Sequence, residues 1–264
     1  IDCIDIYSDM NITTEFNFLS VLQLAPRKNF DNMLRWFVEE FKDDETVGLV
    51  VKTHMQNNST LDRHATKNRI KALLDSVNSK RKCKIYFVHG NLTEQEMTSL
   101  YNPEYIDCYI TATHGEGFGI PVFNAACSGI PVIATNWSGH LDFLRIPVET
   151  RTGKKIIKSH FLKVDYDIKP VDQQHLMPGL ITEGCEWAYP KEKSFKKSLR
   201  FIRKNKETTT EDDTENLSKY LKLNFNIQKI KGKYKELISS QIRPLTVQQE
   251  EYESEINSLL DDLI

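Results

Sequence analysis

Between residues 18 and 144 the chain alternates short apolar runs with stretches of helical spacing, and this alternation is its tightest constraint. The runs are 18–24, 47–52, 84–88, 107–111 and 131–134. Strands that are apolar on both faces must be covered on both, and strands separated by helices run parallel. Pro26 breaks the first run, and Asn29 then stands as the cap of a helix with Phe30, Leu34, Phe37 and Val38 on one face. Residues 61–77 read as a second helix. Thr93 opens a third, with Glu96 three residues later completing a capping-box pattern. Residues 120–127 form a fourth that Gly129 ends, and a short helix is expected around Leu141. The expectation is an α/β fold with a doubly wound parallel sheet, Rossmann-like over residues 18–205, whose ligand lies outside the carboxyl ends of the strands.

The flanks read differently. Residues 1–17 look like a linker or the remnant of a missing N-terminal domain, and the start at Ile1 suggests a fragment or a processed product. Residues 206–264 combine a polar linker with C-terminal helices: 205–216 are polar, and Leu217, Tyr220, Leu221, Ile256, Leu259, Leu260 and Leu263 recur at helical spacing.

With 264 residues there is room for one large domain or one and a half. A net charge of −2 gives no electrostatic reason to expect nucleic acid. No apolar run approaches the roughly 20 residues that cross a bilayer, and no basic-then-apolar leader opens the chain. The five cysteines are odd in number and contain no Cys-x-x-Cys pair; Cys83, Cys108 and Cys127 sit in apolar surroundings, as buried thiols do. A cytoplasmic location is the expectation, and the Asn-x-Ser/Thr triplets at Asn57 and Asn91 are then chance.

Chemistry concentrates in residues 114–135: a strand end, a loop with three glycines, a helix with Pro121 in its first turn, a terminating glycine and another strand. Pro at that position costs no hydrogen bond. Gly117 and Gly119 let the main chain approach a ligand, and the free N–H groups at the helix start suit a diphosphate. Glu116 lies at the mouth of the turn, where it can accept hydrogen bonds from sugar hydroxyls. Asn124 follows two helical turns on, on nearly the same side. Spacing alone would make this a generic anion-binding turn or an ordinary α/β unit.

GluGlyPheGlyIlePro, followed by AsnAlaAlaCysSerGlyIleProValIleAlaThr, resembles the signature of retaining GT-B glycosyltransferases of family four. The resemblance implies the C-terminal, nucleotide-sugar-binding half of a GT-B fold. Carried over, Glu116 contacts the transferred sugar, with Gly117, Phe118 and Gly119 in the turn around it. Asn124 occupies the position where the family has a second Glu for the nucleotide ribose; a neutral amide gives up the charge-assisted strength of a carboxylate. Residues 19–30 are similar to the family's opening strand and loop, which offers an Arg and, five residues later, a Lys to the diphosphate. Lys28 holds the Lys position. Gln23 stands where the Arg is expected, and Arg27 is the candidate replacement. These cations would stabilise the departing nucleoside diphosphate without a metal.

Residues 87–93 are similar to the turn where the family's backbone touches the base, which makes Gly90, Asn91 and Leu92 candidates. Residues 137–143 and 187–190 match the family more loosely. Lys52 and His54 end a strand at the ligand-facing edge, and His114 is placed to touch the donor; for each, a structural role is the alternative, and for His140 it is the preferred one. The basic run from Lys191 to Lys206 reads as an amphipathic helix, either a solvated helix face or a contact with a membrane surface.

The implied activity is transfer of a hexose, with retention, from a nucleoside-diphosphate sugar (UDP or GDP) to a hydroxyl on a carbohydrate or lipid-linked acceptor. That role needs no cofactor beyond the donor, and the isolated half is expected to bind donor with little transfer. The alternatives are a non-catalytic nucleotide-sugar-binding module, favoured by Gln23 and Asn124, and an α/β scaffold without a small-molecule site.

Overall fold

The computed structural model describes residues 6–7, 10–205, 211–241 and 255–258. Cys3, linker residues 206–210 and the apolar positions Leu259, Leu260 and Leu263 lie outside them. The chain divides into two compact units, residues 1–218 and 219–264.

In the first unit, β1 (Phe16–Gln23), β2 (Val47–His54), β3 (Lys84–Val88), β4 (Cys108–Ile110) and β5 (Val132–Thr135) alternate with α1 (Phe30–Phe41), α2 (Thr60–Asn78), α3 (Glu94–Ser99) and α4 (Ile120–Cys127). The chain continues through α5 (Leu141–Leu144), an antiparallel hairpin of β6 (Arg145–Glu149) and β7 (Lys155–Ser159), β8 (Leu162–Val164), an antiparallel pair of β9 (Tyr166–Pro170) and β10 (Glu186–Pro190), and α6 (Glu192–Lys204), and the unit ends within α7 (Glu211–Asn224). In the second unit, α8 covers Ile227–Gln241.

The main sheet has the order β3-β2-β1-β4-β5-β8, and every pairing in it is parallel. It is the doubly wound α/β sheet expected. The order reverses between β1 and β4, which opens a crevice outside their carboxyl ends. β1 and β2 bury all but their last residue, as strands covered on both faces must. α1 lays Phe30, Met33, Leu34, Phe37, Val38 and Phe41 on one side of the sheet at helical spacing. Each such side chain contributes roughly 1.5–3 kcal/mol by leaving water.

Three local features differ from the expectation. Asn29 occupies the cap position of α1 with left-handed backbone (φ 52°) and makes no side-chain cap bond. The tight 3-10 turn Pro26–Lys28 before it swings the amide away, and its Nδ2 instead donates to the Ala112 carbonyl at 3.0 Å. The polar stretch 205–216 is not linker throughout, because α7 covers Glu211–Asn224. Within 145–190 lie five strands that the hydrophobic pattern does not separate, since β7 and β9 are almost wholly exposed.

The amphipathic helix is α6. Its apolar residues Phe195, Leu199 and Ile202 are buried in the core shared with α1 and β8. Its hydrophobic face is therefore committed to the protein interior. Cys83 and Cys108 are buried free thiols and Cys127 is half-buried. Burial pushes the Cys83 thiol up to about 11.

Candidate functional site

The loops after β1 and β4 meet at the point where the sheet order reverses, and backbone bonds lock them together. The His114 N–H donates to the Arg27 carbonyl at 2.9 Å, and the Thr113 hydroxyl bridges the carbonyls of Arg27 (3.1 Å) and Gly115 (2.9 Å). Arg27 and Lys28 are thereby held against Glu116. The Lys28 ammonium donates to both carboxylate oxygens, at 2.6 and 2.8 Å, and the Arg27 guanidinium lies 3.3 Å from one of them. Arg27 also donates to the Gly115 carbonyl. The Glu116 side chain is 10% exposed, Lys28 17% and Arg27 39%, so the cations form the open rim of the cluster.

A third loop, after β5, fixes the Glu116 backbone. The Glu116 N–H donates to the Ser138 hydroxyl at 2.7 Å, while the Glu116 carbonyl accepts from that hydroxyl and from the Gly139 N–H at 3.1 Å. Ser138 adopts a left-handed φ of 87° to reach both groups. Gly139 permits the approach: a Cβ there would stand 1.7 Å from the Gly117 carbonyl oxygen. Gly119, at φ 86°, turns the chain into α4, and Pro121 follows in its first turn. Phe118 anchors the loop tip against Phe123 and Phe143, with ring centroids at 5.3 and 5.0 Å.

The remaining candidates lie apart from this cluster. His114 turns toward the β9–β10 pair: its Nδ1 bonds the Ala188 carbonyl at 2.7 Å and its ring stacks on Trp187 at 5.1 Å. That bond makes Nδ1 the protonated nitrogen of a neutral ring, and burial lowers the pKa. Asn124 is half-buried and its side chain lies beside the Tyr101 hydroxyl, whose pKa is raised by burial. Gln23 donates to the Met55 carbonyl at 3.2 Å. His140 is fully buried behind the loop, with Nε2 on the Thr135 carbonyl at 2.7 Å and a pKa lowered by burial.

A second polar group occupies the carboxyl ends of β2 and β3. Lys52 is buried in β2, paired in register with Val21 and Val88, and burial lowers its pKa. Asp62, in the first turn of α2, accepts from the backbone of Met55 (3.2 Å) and Gln56 (3.0 Å) and pairs with His89 at 2.9 Å. Burial alone would raise its pKa, but these bonds outweigh it and hold the carboxyl at about 2. Gly90 (φ 118°), Asn91 and half-buried Leu92 form the turn after β3, and Asn91 accepts from Asn58. Among the described residues, no hydrogen bond or ion pair links this group to Glu116.

Sequence reasoning passed over Ser138, Gly139 and Thr113 as site residues. The loop at 137–143 carried a loose family likeness, but which glycine is crowded is a tertiary fact.

The sequence pattern of the family described as glycosyl transferases group 1 matches residues 9–147, more than half of the chain, and includes all three loops around Glu116. The chain belongs to this family. No curated protein sequence matches it. Among solved structures, the C-terminal domain of the group 1 family protein LpcC from Francisella tularensis superposes with a TM-score of 0.55 at 15% identity, covering 84% of this chain and 91% of that one. Sucrose-phosphate synthase from Thermosynechococcus elongatus gives 0.57 at 17% identity, over 90% of this chain and 49% of that one. Anabaena HepE, in complex with UDP and glucose, gives 0.57 at 13%, over 88% and 50%. The fold is the Rossmann-like C-terminal domain of GT-B glycosyltransferases, and the chain spans about half the length of the longer structures it matches.

Proposed function

We propose that the chain is the donor-binding half of a retaining, metal-independent glycosyltransferase that moves a hexose from a nucleoside-diphosphate sugar to an acceptor hydroxyl. The observation that carries this reading is the Arg27–Lys28–Glu116 cluster at the crevice between β1 and β4. Two cations sit at the rim with one carboxylate beneath them, beside the glycine turn that begins α4.

Without donor, Glu116 serves as the counterion of Lys28 and Arg27. When a diphosphate arrives, the cations transfer to its oxygens, and the freed carboxylate accepts hydrogen bonds from the sugar. The same cations then stabilise the charge that grows on the departing nucleoside diphosphate. Backbone N–H groups of Gly117 to Gly119 add to that stabilisation, and the turn at Gly90, Asn91 and Leu92 lies at the sheet edge where the base would rest. His114, neutral with Nδ1 engaged by the Ala188 carbonyl, adds no charge beside the site. The complementary N-terminal domain and the acceptor, carbohydrate or lipid-linked, complete the reaction in this reading, in the cytoplasm. Among the described residues no helix is long and apolar enough to cross a membrane.

A second reading, a non-catalytic nucleotide-sugar-binding module, is favoured by two side chains. Gln23 bonds Met55 and Asn124 lies beside Tyr101, so neither joins the Glu116 cluster. Calorimetric titration of the chain with UDP, GDP and ADP, without metal, tests what both readings share. Binding of one nucleotide that weakens in Lys28→Ala is expected, and no binding of any would overturn both. Transfer or hydrolysis of the matching nucleotide sugar by the chain joined to an N-terminal domain would separate enzyme from module.

A further inference from the structure

A groove of about 760 Å³ runs between the edge strand β8 and α6, away from the Glu116 cluster, and six cations line it against one carboxylate, Asp165. Four of the cations, Lys193, Lys197, Arg200 and Lys204, recur along α6 at intervals of four, three and four residues. That spacing keeps them on one side of the helix over about 16 Å, at 1.5 Å per residue. Lys163 faces them from β8, and Lys191 stands at the head of the helix. Apart from Asp165, the carboxylates in reach are already committed. Lys191 pairs with Asp167, Arg200 with Glu40, and Glu39 and Glu192 both hold Lys196, which flanks the stripe. Among the described residues, Lys163, Lys193, Lys197 and Lys204 have no carboxylate within ion-pair distance.

In a chain whose net charge is −2, a one-sided stripe of uncompensated lysines is a concentrated positive field. Its chemistry selects among anions. Five of the six cations are lysines, and the single arginine is engaged by Glu40, so no free guanidinium fork is present for planar, bidentate carboxylate recognition. Lysine binds as a point charge, which suits phosphate. The volume fits a small ligand, and cations spread over that length need several anionic groups to occupy them together.

We propose that this groove binds a linear ligand carrying two or more phosphate groups, soluble or presented by a lipid headgroup, separately from the donor crevice.

The test is calorimetric titration of the full chain with tripolyphosphate, comparing wild type, Lys28→Ala, and a triple variant made in the Lys28→Ala background, Lys193→Gln, Lys197→Gln and Lys204→Gln. The three lysines are exposed, so the variant keeps its fold, and its thermal unfolding checks this. Binding should survive Lys28→Ala, which removes the donor-site cation, fall at least about tenfold in the triple variant, and weaken with added salt. Sedimentation with phosphatidylcholine vesicles, with and without phosphatidylglycerol, separates the sources: co-sedimentation only with the anionic vesicles, lost in the triple variant, assigns the phosphates to lipid, and its absence assigns them to a soluble ligand. Absence of tripolyphosphate binding, equal binding by the triple variant, or equally tight binding of a hexaglutamate peptide would overturn the proposal.

Discussion

Glu116 and Asp62 stand at the same edge of the sheet with similar shielding, their side chains 10% and 6% exposed. Their partners differ in kind. Asp62 is held by two backbone N–H groups of its own approach turn and by His89, itself 2% exposed, so nothing around it can leave without unfolding that turn. Glu116 is held by the ends of two long side chains, one of them 39% exposed, and both can swing to another anion. A buried carboxylate with fixed partners is structural. One whose counterions sit on the open rim can exchange them for a ligand.

The sharpest test of that contrast is Gly139→Ala. The new Cβ would overlap the Gly117 carbonyl, so the loop must shift and displace the N–H groups of the glycine turn; losing two charge-assisted bonds to a diphosphate costs about 100-fold or more. Nucleotide binding by calorimetry should fall by at least that factor; unchanged binding would mean that the glycine turn does not form the site.

Lys28→Ala should weaken nucleoside diphosphate binding about 10- to 100-fold, the scale of a lost charge-assisted bond. Asp62→Asn should change binding less than about threefold while altering acid stability. With a folded pKa of about 2, below the unfolded value of about 3.9, Asp62 stabilises the protein above pH 4, and that contribution is lost as pH falls toward 2. Urea unfolding of Asp62→Asn between pH 2 and 6 should therefore show a shallower slope at the acid end. Strong loss of nucleotide binding in Asp62→Asn would erase the distinction between the two groups.

The smallest effect is expected at His140. Its folded pKa is depressed by burial, so the unfolded chain takes up a proton first, near pH 6.5. Stability is full above that pH and declines as pH falls through the folded pKa. His140→Gln should flatten that decline, by at most one proton in the slope of stability with pH; an unchanged slope would contradict the assignment.

The fold from β1 to α5 was readable because strands buried on both faces leave continuous apolar runs, and because Thr93 and Glu96 form the capping box their spacing announces. Residues 145–190 were not readable as strands, since exposed pairs such as β6–β7 carry little hydrophobic pattern. Within the site, Glu116 and the glycine turn were visible as a local motif. Lys28, 88 residues away, was connected to it only through a family likeness. Ser138 and Gly139 were hidden because the contact that explains them, with Glu116 and Gly117, depends on how three loops converge. Asn29 misled for a similar reason: the residue type fits a helix cap, while the turn before it decides where the amide points.

The central claim is that Glu116 holds the place of a ligand anion, and it is tested most directly by comparing wild type with Glu116→Gln in titrations with UDP and GDP. Neutralising the carboxylate frees Lys28 and Arg27, so whichever diphosphate binds should bind about tenfold more tightly, the scale of one charge-assisted bond no longer competed for. Weaker or unchanged binding in Glu116→Gln would contradict the exchange and return the ion pair to a structural role like that of Asp62.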